Sequence, residues 1–430
     1  MKTTEFCSEL LRERYVRILH PSGLRVYVFP KQLSGTYALL ATDFGAQDLY
    51  YREDGEDRIQ SLPAGIAHFL EHKLFENEDG SDALAAFSAL GVDANAYTAC
   101  NKTAYLFSCT ENFDAALEEL LRFVMHPHFT AASVKREIGI ISEEIRMTED
   151  NPWDRGYQNL LGALYHKHPV RVDLCGTQES IRKITPELLY STHRSFYDLS
   201  HLSLVVCGDV TEDAVMETVN RCLPKEDSRS SVRRVMPDEP KTVCRERVEA
   251  RMQVAKPIFF MGYKDSDFYG TPSERMRRDA AVTLLNEILF SRSGDFYNEL
   301  FEKGILAPSF TCGYSICETL AFNCLSGETD TPDEVIARVQ AYLDLVKREG
   351  IREEDIERCR RVLYADEVRS YDSTEEIANR LLSFAIDGGE MLAYPEMIAQ
   401  ITKEELVSLA ETLFDRANLS VSVIYPLEQR

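Results

Sequence analysis

The feature that most restricts the fold of this chain is that its second half repeats its first. AHFLEHKLF (67–75) can be laid over VTLLNEILF (282–290), and TAYLFSC (103–109) over LAFNCLS (320–326). LEELLRFV (117–124) matches VQAYLDLV (339–346), and SEEIRMTED (142–150) matches ADEVRSYDS (365–373). Order and approximate spacing agree, as a tandem duplication requires. A length of 430 residues also exceeds one ordinary core. Within the first copy, LRVYVFP (24–30) and TYALLATDFG (36–45) read as strands, and helical patterns follow at about 62–76 and 81–90. ANAYTAC and TAYLFSCT form a hairpin-like pair joined at Asn101-Lys102. Helices are expected over 113–127, stopped by Pro127, and from Ala132 to about Met147. LSLVVCGDV (202–210) reads as the last strand of a sheet. Periodicity fades between Leu223 and Lys256 in Pro, Ser and charge, the signature of a linker. The expected fold is α+β with two homologous domains, each a mostly antiparallel β-sheet packed with helices. The expected boundaries are 1–222, a linker over 223–255, and 256–430.

Composition removes several function classes. A net charge of −23 repels phosphates and argues against nucleic acid. No run of 18 apolar residues is present, so no membrane partner is expected. The N-terminal MKTTEFCSELLRERYVR is charged throughout, which makes a cytoplasmic location the expectation. Eleven scattered cysteines without C-x-x-C spacing read as reduced thiols, with Cys312, Cys317 and Cys324 as buried strand residues rather than a metal cluster.

The chemistry concentrates in one copy. His68, Glu71 and His72 stand at i, i+3 and i+4, so on a helix they share a face. Two imidazoles one turn apart can hold a zinc ion, and a glutamate beside them can take a proton from the attacking water. The positions laid over them in the second copy are Thr283, Asn286 and Glu287, and all nine histidines lie at or before His201. A catalytic zinc site needs a third protein ligand. In REIGIISEEIRM (136–147), Glu137 and Glu144 are two helical turns apart on one face, with isoleucines to dock that helix. Glu144 is the preferred third ligand. Glu143 competes but points about 100° away, and His166 and His168 compete from a helix end or loop before Pro169.

His68-x-x-Glu71-His72 followed by an acidic helix carrying Glu144 resembles the inverzincins, the insulinase or pitrilysin family of zinc metallopeptidases. VDANAYTACNKTAYLFS resembles the family's active-site strand, YDLSHLSLVVCGDV a domain-closing strand with its Gly-Asp turn, and EIRMTEDNPWDR the stretch after the third ligand. The resemblance implies one zinc per chain held by His68, His72 and Glu144, with Glu71 as general base. It implies that Glu137 supports catalysis by hydrogen bonding near the metal's water. It also implies that Asn95 and Ala96 hold the backbone of a peptide substrate by strand addition. The function implied is a zinc endopeptidase acting on short or unfolded polypeptides, the two domains forming half of a clamshell chamber completed by a second chain. The competing reading is a non-catalytic family member serving as a peptide-binding or scaffold subunit.

One departure is visible. Active relatives carry an arginine and, seven residues on, a tyrosine in the second domain. Here SRSGDFYNELFEKGILAPSFTCGY (291–314) has Glu299 seven residues after Arg292, with Tyr297 and Tyr314 off register. The dimer is therefore expected to be either a homodimer or a heterodimer with a zinc-less homologous subunit that supplies the Arg/Tyr pair.

Overall fold

The computed structural model describes residues 2–224 and 232–428. They divide into two compact units: Met1–Ile145 with Val172–Met236 and Val368–Leu392, and Arg146–Arg171 with Pro237–Glu367 and Ala393–Arg430.

The first unit is built on a seven-stranded sheet. In chain order it contains β1 (Lys2–Ser8), β2 (Glu13–Leu19), β3 (Arg25–Pro30), β4 (Thr36–Thr42), β7 (Asp93–Thr98), β8 (Thr103–Cys109) and β9 (Leu202–Gly208). A small second sheet holds β5 (Tyr50–Glu53), β6 (Gln60–Ser61) and β10 (Val232–Arg234). The spatial order of the large sheet is β1-β2-β3-β9-β4-β8-β7, with β3 and β9 parallel and every other pair antiparallel. β9 is last in sequence but central in space. It is fully buried, as are most residues of β3 and β4, because both faces of the sheet are covered.

One face carries the main core, formed with helices α1 (Ile66–Leu74), α2 (Ala83–Ala89), α3 (Phe113–Met125) and α4 (Ala131–Asp150). The other face packs Phe29, Leu39 and Val205 against Ile377, Leu381 and Leu382 of the helix Thr374–Asp387.

The second unit contains β11 (Arg247–Met252), β12 (Ile258–Lys264), β13 (Thr311–Ile316), β14 (Ala321–Glu328) and β15 (Leu419–Pro426), in the order β11-β15-β12-β14-β13. One parallel pairing is followed by three antiparallel ones. This repeats β3-β9-β4-β8-β7 strand for strand, so the duplication read from the sequence is present in the topology.

One element lies outside the sequence reading, and two expectations need correction. The charged N-terminus is a β1–β2 hairpin; in β2, Tyr15 packs into one core and Val16 and Ile18 into the other, while Arg14 and Arg17 are exposed, so no simple alternation marks the strand. The linker is shorter than 223–255, since Val232–Arg234 pairs with β5 and Arg247–Met252 with β15; residues 225–231 of it lie outside the described residues. The compact units also do not follow the expected boundaries. Helix α5 (Pro152–Leu164), from the first half of the sequence, belongs to the second unit, where Trp153 meets Phe260 of β12 edge-on at 5.7 Å between ring centres. The helix Thr374–Asp387, from the second half, belongs to the first unit. Each sheet would otherwise leave an apolar face in water.

A buried ion pair ties down the chain after α5. The Glu239 carboxylate accepts backbone N–H bonds from His166, Lys167 and His168 at 2.7, 2.7 and 2.9 Å, and one from Lys264 Nζ at 2.7 Å. Burial opposes its ionisation. The Lys264 hydrogen bond, the backbone donors and the Lys264 charge outweigh that and hold its pKa down to about 2, from 4.5. A folded-state value below the unfolded one gives stability that is complete above about pH 4.5 and is lost as pH falls through about 2. Glu239→Gln is expected to cost about 3 kcal/mol in urea unfolding at pH 7. That difference should shrink below pH 4.5, and a difference that stays constant down to pH 2 would contradict this account.

Candidate metal centre

The site begins with a helix that starts abruptly. Gly65 precedes α1 with φ +89°, a left-handed conformation that glycine adopts without strain. Ile66, Phe69, Leu70 and Leu74 then bury one stripe of α1 in the core. That docking turns the alternate stripe, His68, Glu71 and His72, toward α4, which is anchored by its own buried Val134, Ile141 and Ile145.

Between the two helices the predicted residues converge. Glu144 Oε1 lies 3.5 Å from His68 Nε2, and Glu144 Oε2 lies 3.7 Å from His72 Nε2. One ligand atom from each residue falls within 4.8 Å of the others, and this is the metal-competent group of His, Cys, Asp and Glu found among the described residues. Neither Glu143, which is exposed, nor His166, His168 or the three strand cysteines belongs to it. Ligands around a tetrahedral zinc ion stand about 3.4 Å apart given its usual bond lengths, so the spacing fits the ion.

The donor set fits as well. Burial and the neighbouring His72 push His68 down to about 3, so its imidazole is neutral and able to ligate. Its Nδ1 is buried without a hydrogen-bond partner. Burial would also lower His72, but the Glu137 hydrogen bond and the charges of Glu137, Glu144 and Glu71 outweigh it and raise its pKa.

Glu137 differs from expectation. Its Oε1 sits 2.9 Å from His72 Nδ1, on the side of the ring opposite Nε2. From there it can hold the ring plane of His72, as the carboxylate does in a carboxylate–histidine–metal arrangement. The contact is that of a group that would position His72 rather than touch the reacting atoms.

Glu71 is 9% exposed. Burial raises its pKa, partly offset by a hydrogen bond from Thr98 and by His72, while Glu144 adds to the rise. Thr98 Oγ1 donates to Glu71 Oε2 at 2.6 Å. Thr98 was not singled out from the sequence. The signal was the alternation in β7, which puts Ala94, Ala96 and Thr98 on the core face beside α1.

β7 ends the sheet, so one side of it is open. The Ala96 N–H donates to Asn95 Oδ1 at 2.9 Å. In an antiparallel ladder alternate residues turn both backbone groups outward, which places Ala96 in the outward set and Asn95 in the set bonded to β8. Asn95 thus meets the open edge through its side chain, not its backbone.

In the second unit, Arg292 Nη2 donates to the Pro308 carbonyl at 2.8 Å. Tyr314 donates to Asp265 at 2.6 Å, and Arg278 holds the same carboxylate at 2.5 and 2.8 Å. Tyr297 is buried and stacks on Phe301.

A helix-borne His-x-x-Glu-His set completed by a glutamate from a second helix, within a duplicated sheet-and-helix frame, defines a narrow class. A family model described as Insulinase (Peptidase family M16) matches residues 61–178, and one described as Peptidase M16 inactive domain matches residues 183–363. The uncharacterized zinc protease YmfH of Bacillus subtilis (strain 168) is 34% identical over 421 residues, 97% of this chain and 98% of that protein. The uncharacterized zinc protease SCO5738 of Streptomyces coelicolor is 25% identical over 95% of this chain and 89% of its own length. In structure, an M16-like protein from Alicyclobacillus acidocaldarius superposes with a TM-score of 0.91 at 31% identity, covering 99% of this chain and 98% of that one. A protease from Helicobacter pylori shares the fold at a TM-score of 0.82 and 18% identity, over 96% of this chain and all of its own. The chain belongs to the insulinase family, peptidase family M16.

A Cβ on Gly65 would lie 2.3 Å from the Cys175 carbonyl oxygen, a backbone atom that cannot swing aside. Gly65→Ala is therefore expected to cost at least about 3 kcal/mol from clash and left-handed strain together. Denaturant unfolding measures it; a loss under about 1 kcal/mol would show that the Cys175 backbone can move away from Gly65.

Proposed function

We propose that the chain is a zinc-dependent endopeptidase that hydrolyses short or unfolded polypeptides. The observation that carries this reading is the convergence of His68, His72 and Glu144 within ligand distance, with Glu71 beside them and hydrogen-bonded to an edge strand. Zinc held by those three residues would act as a Lewis acid on a carbonyl and lower the pKa of a water molecule.

The remaining chemistry belongs to the chain. β7 offers an open edge on which an extended backbone can add as a further strand, with the Ala96 N–H as a donor once the Asn95 amide moves aside. Strand addition reads backbone rather than side chains, which favours flexible substrates. Thr98 occupies Oε2 of Glu71 and leaves Oε1 to take the proton of the attacking water and return it to the departing amine. A raised carboxyl pKa suits both transfers near neutrality.

The proposal includes a dimer in which a zinc-less homologous chain contributes the Arg/Tyr pair and closes the chamber. It is supported by the absence of the seven-residue spacing after Arg292 and by Tyr314 being committed to Asp265. The chamber itself rests on the family resemblance.

Glu71→Gln is expected to keep about one zinc per chain yet lose at least about 1,000-fold in turnover of a mixed peptide pool followed by mass spectrometry. Cleavage persisting at the wild-type rate would end the general-base assignment. Glu144→Gln should instead lose zinc. If the wild type holds zinc and cuts slowly, a zinc-less homologous subunit is expected to raise turnover about 100-fold, the scale of one oxyanion donor. Full activity of the isolated chain would favour the homodimer.

A further inference from the structure

The ligands of the centre stand on two separate helices, and a metal site tolerates little error in their separation. His68 and His72 ride on α1, Glu144 on α4. One short segment, residues 173–181, touches the backbone of α4 and that of the two residues leading into α1.

On the α1 side, Ser180 Oγ donates to the Ala64 carbonyl at 2.7 Å, one turn before His68. The two chains cross there without room for a side chain. A Cβ on Gly176 would meet the Ala64 oxygen at 2.3 Å, as one on Gly65 would meet the Cys175 oxygen. On the α4 side, Gln178 Nε2 donates to the Ser142 carbonyl at 2.7 Å, two residues before Glu144. A carbonyl only accepts, so the orientation of the Gln178 amide is fixed by its partner.

The segment is itself rigid. Asp173 Oδ1 accepts from the Cys175 N–H at 2.9 Å. Thr177 and Ser180 form a reciprocal capping box, and Ile181 is fully buried in the core.

We propose that this segment is the positioning element of the metal centre, with Gln178 as the side chain that sets Glu144 against the two histidines. The inference rests on the zinc reading above and extends it to residues outside the ligand set. Gln178 is only half-buried, and α4 is already docked by Val134, Ile141 and Ile145. Its hydrogen bond therefore adds little to folding. What it governs is the setting of α4 at the level of Glu144. Ser180 does the same for the start of α1.

The test uses the full chain and three variants: Gln178→Leu, Ser180→Ala and, as a control, Gln158→Leu. Gln158 makes the same kind of amide-to-carbonyl bond, to Val170 at 3.2 Å, in the other compact unit. Zinc affinity is measured by chelator competition, ligand geometry by the visible spectrum of the cobalt(II)-substituted protein, and folding by melting of the metal-free protein. Gln178→Leu is expected to weaken zinc about 10-fold or more, the scale of losses outside the ligand set, and to shift the cobalt bands. Its metal-free melting should stay close to wild type. Ser180→Ala should move affinity in the same direction, and Gln158→Leu should leave affinity and spectrum unchanged. Wild-type affinity and spectrum in both Gln178→Leu and Ser180→Ala would overturn this inference alone. A wild type that binds no zinc would overturn the zinc reading and this inference with it.

Discussion

Burial of charge is the constraint on which the rest of this structure depends. Glu71 and Glu137 are both nearly removed from water, Glu144 stands within 4 Å of both histidines, and His68 is neutral at ordinary pH. Glu144 repels Glu71, and Glu71 and Glu137 have lost most of their hydration. A stiff frame is what keeps such a group assembled. The frame is the apolar docking of α1 and α4 on a sheet covered on both faces, with Thr98 and Glu137 each satisfying one polar atom of the cluster. The neutral His68 and the carboxylates around it are ligand types that a zinc ion takes, which is the basis of the zinc reading.

Comparison of the two copies separates frame from chemistry. Both keep the same five strands in the same order and sense. In the second copy the residue laid over Glu71 is Asn286, whose Nδ2 donates to Asn323 Oδ1 at 2.6 Å in a buried, uncharged pair. Neutral amides ask for no metal. Glu287, laid over His72, has its carboxyl pushed up by burial. The same packing solution thus holds a histidine–carboxylate cluster in one copy and a hydrogen-bonded pair of amides in the other.

Much of this was legible in the residues, for identifiable reasons. His68, Glu71 and His72 could be placed on one face because helical spacing fixes direction, and Glu137 and Glu144 because seven residues make two turns. The duplication could be read because order survives where side chains change. What could not be read was contact across long separations. That Glu137 meets the far side of the His72 ring, and that Asn95 caps the Ala96 N–H, are products of packing and local rotamers. Periodicity also shows which face of a helix is apolar, but not which sheet will receive it. For that reason α5 and the helix Thr374–Asp387 read as parts of the halves in which they are encoded, and β2, with charged and buried residues on both faces, carries no plain strand pattern.

The exchange of those two helices also sets a timetable for synthesis. The seven strands of the first sheet have all been made once Gly208 is added, yet one face of that sheet stays bare until Thr374–Asp387 is translated, close to the C-terminus. The first unit is therefore not finished when the first half of the chain emerges from the ribosome. Phe29, Leu39 and Val205 wait in contact with solvent or a chaperone while the second sheet is still being made. A stop codon between residues 209 and 373 would leave a first sheet with His68, His72 and Glu144 present and one of its faces uncovered.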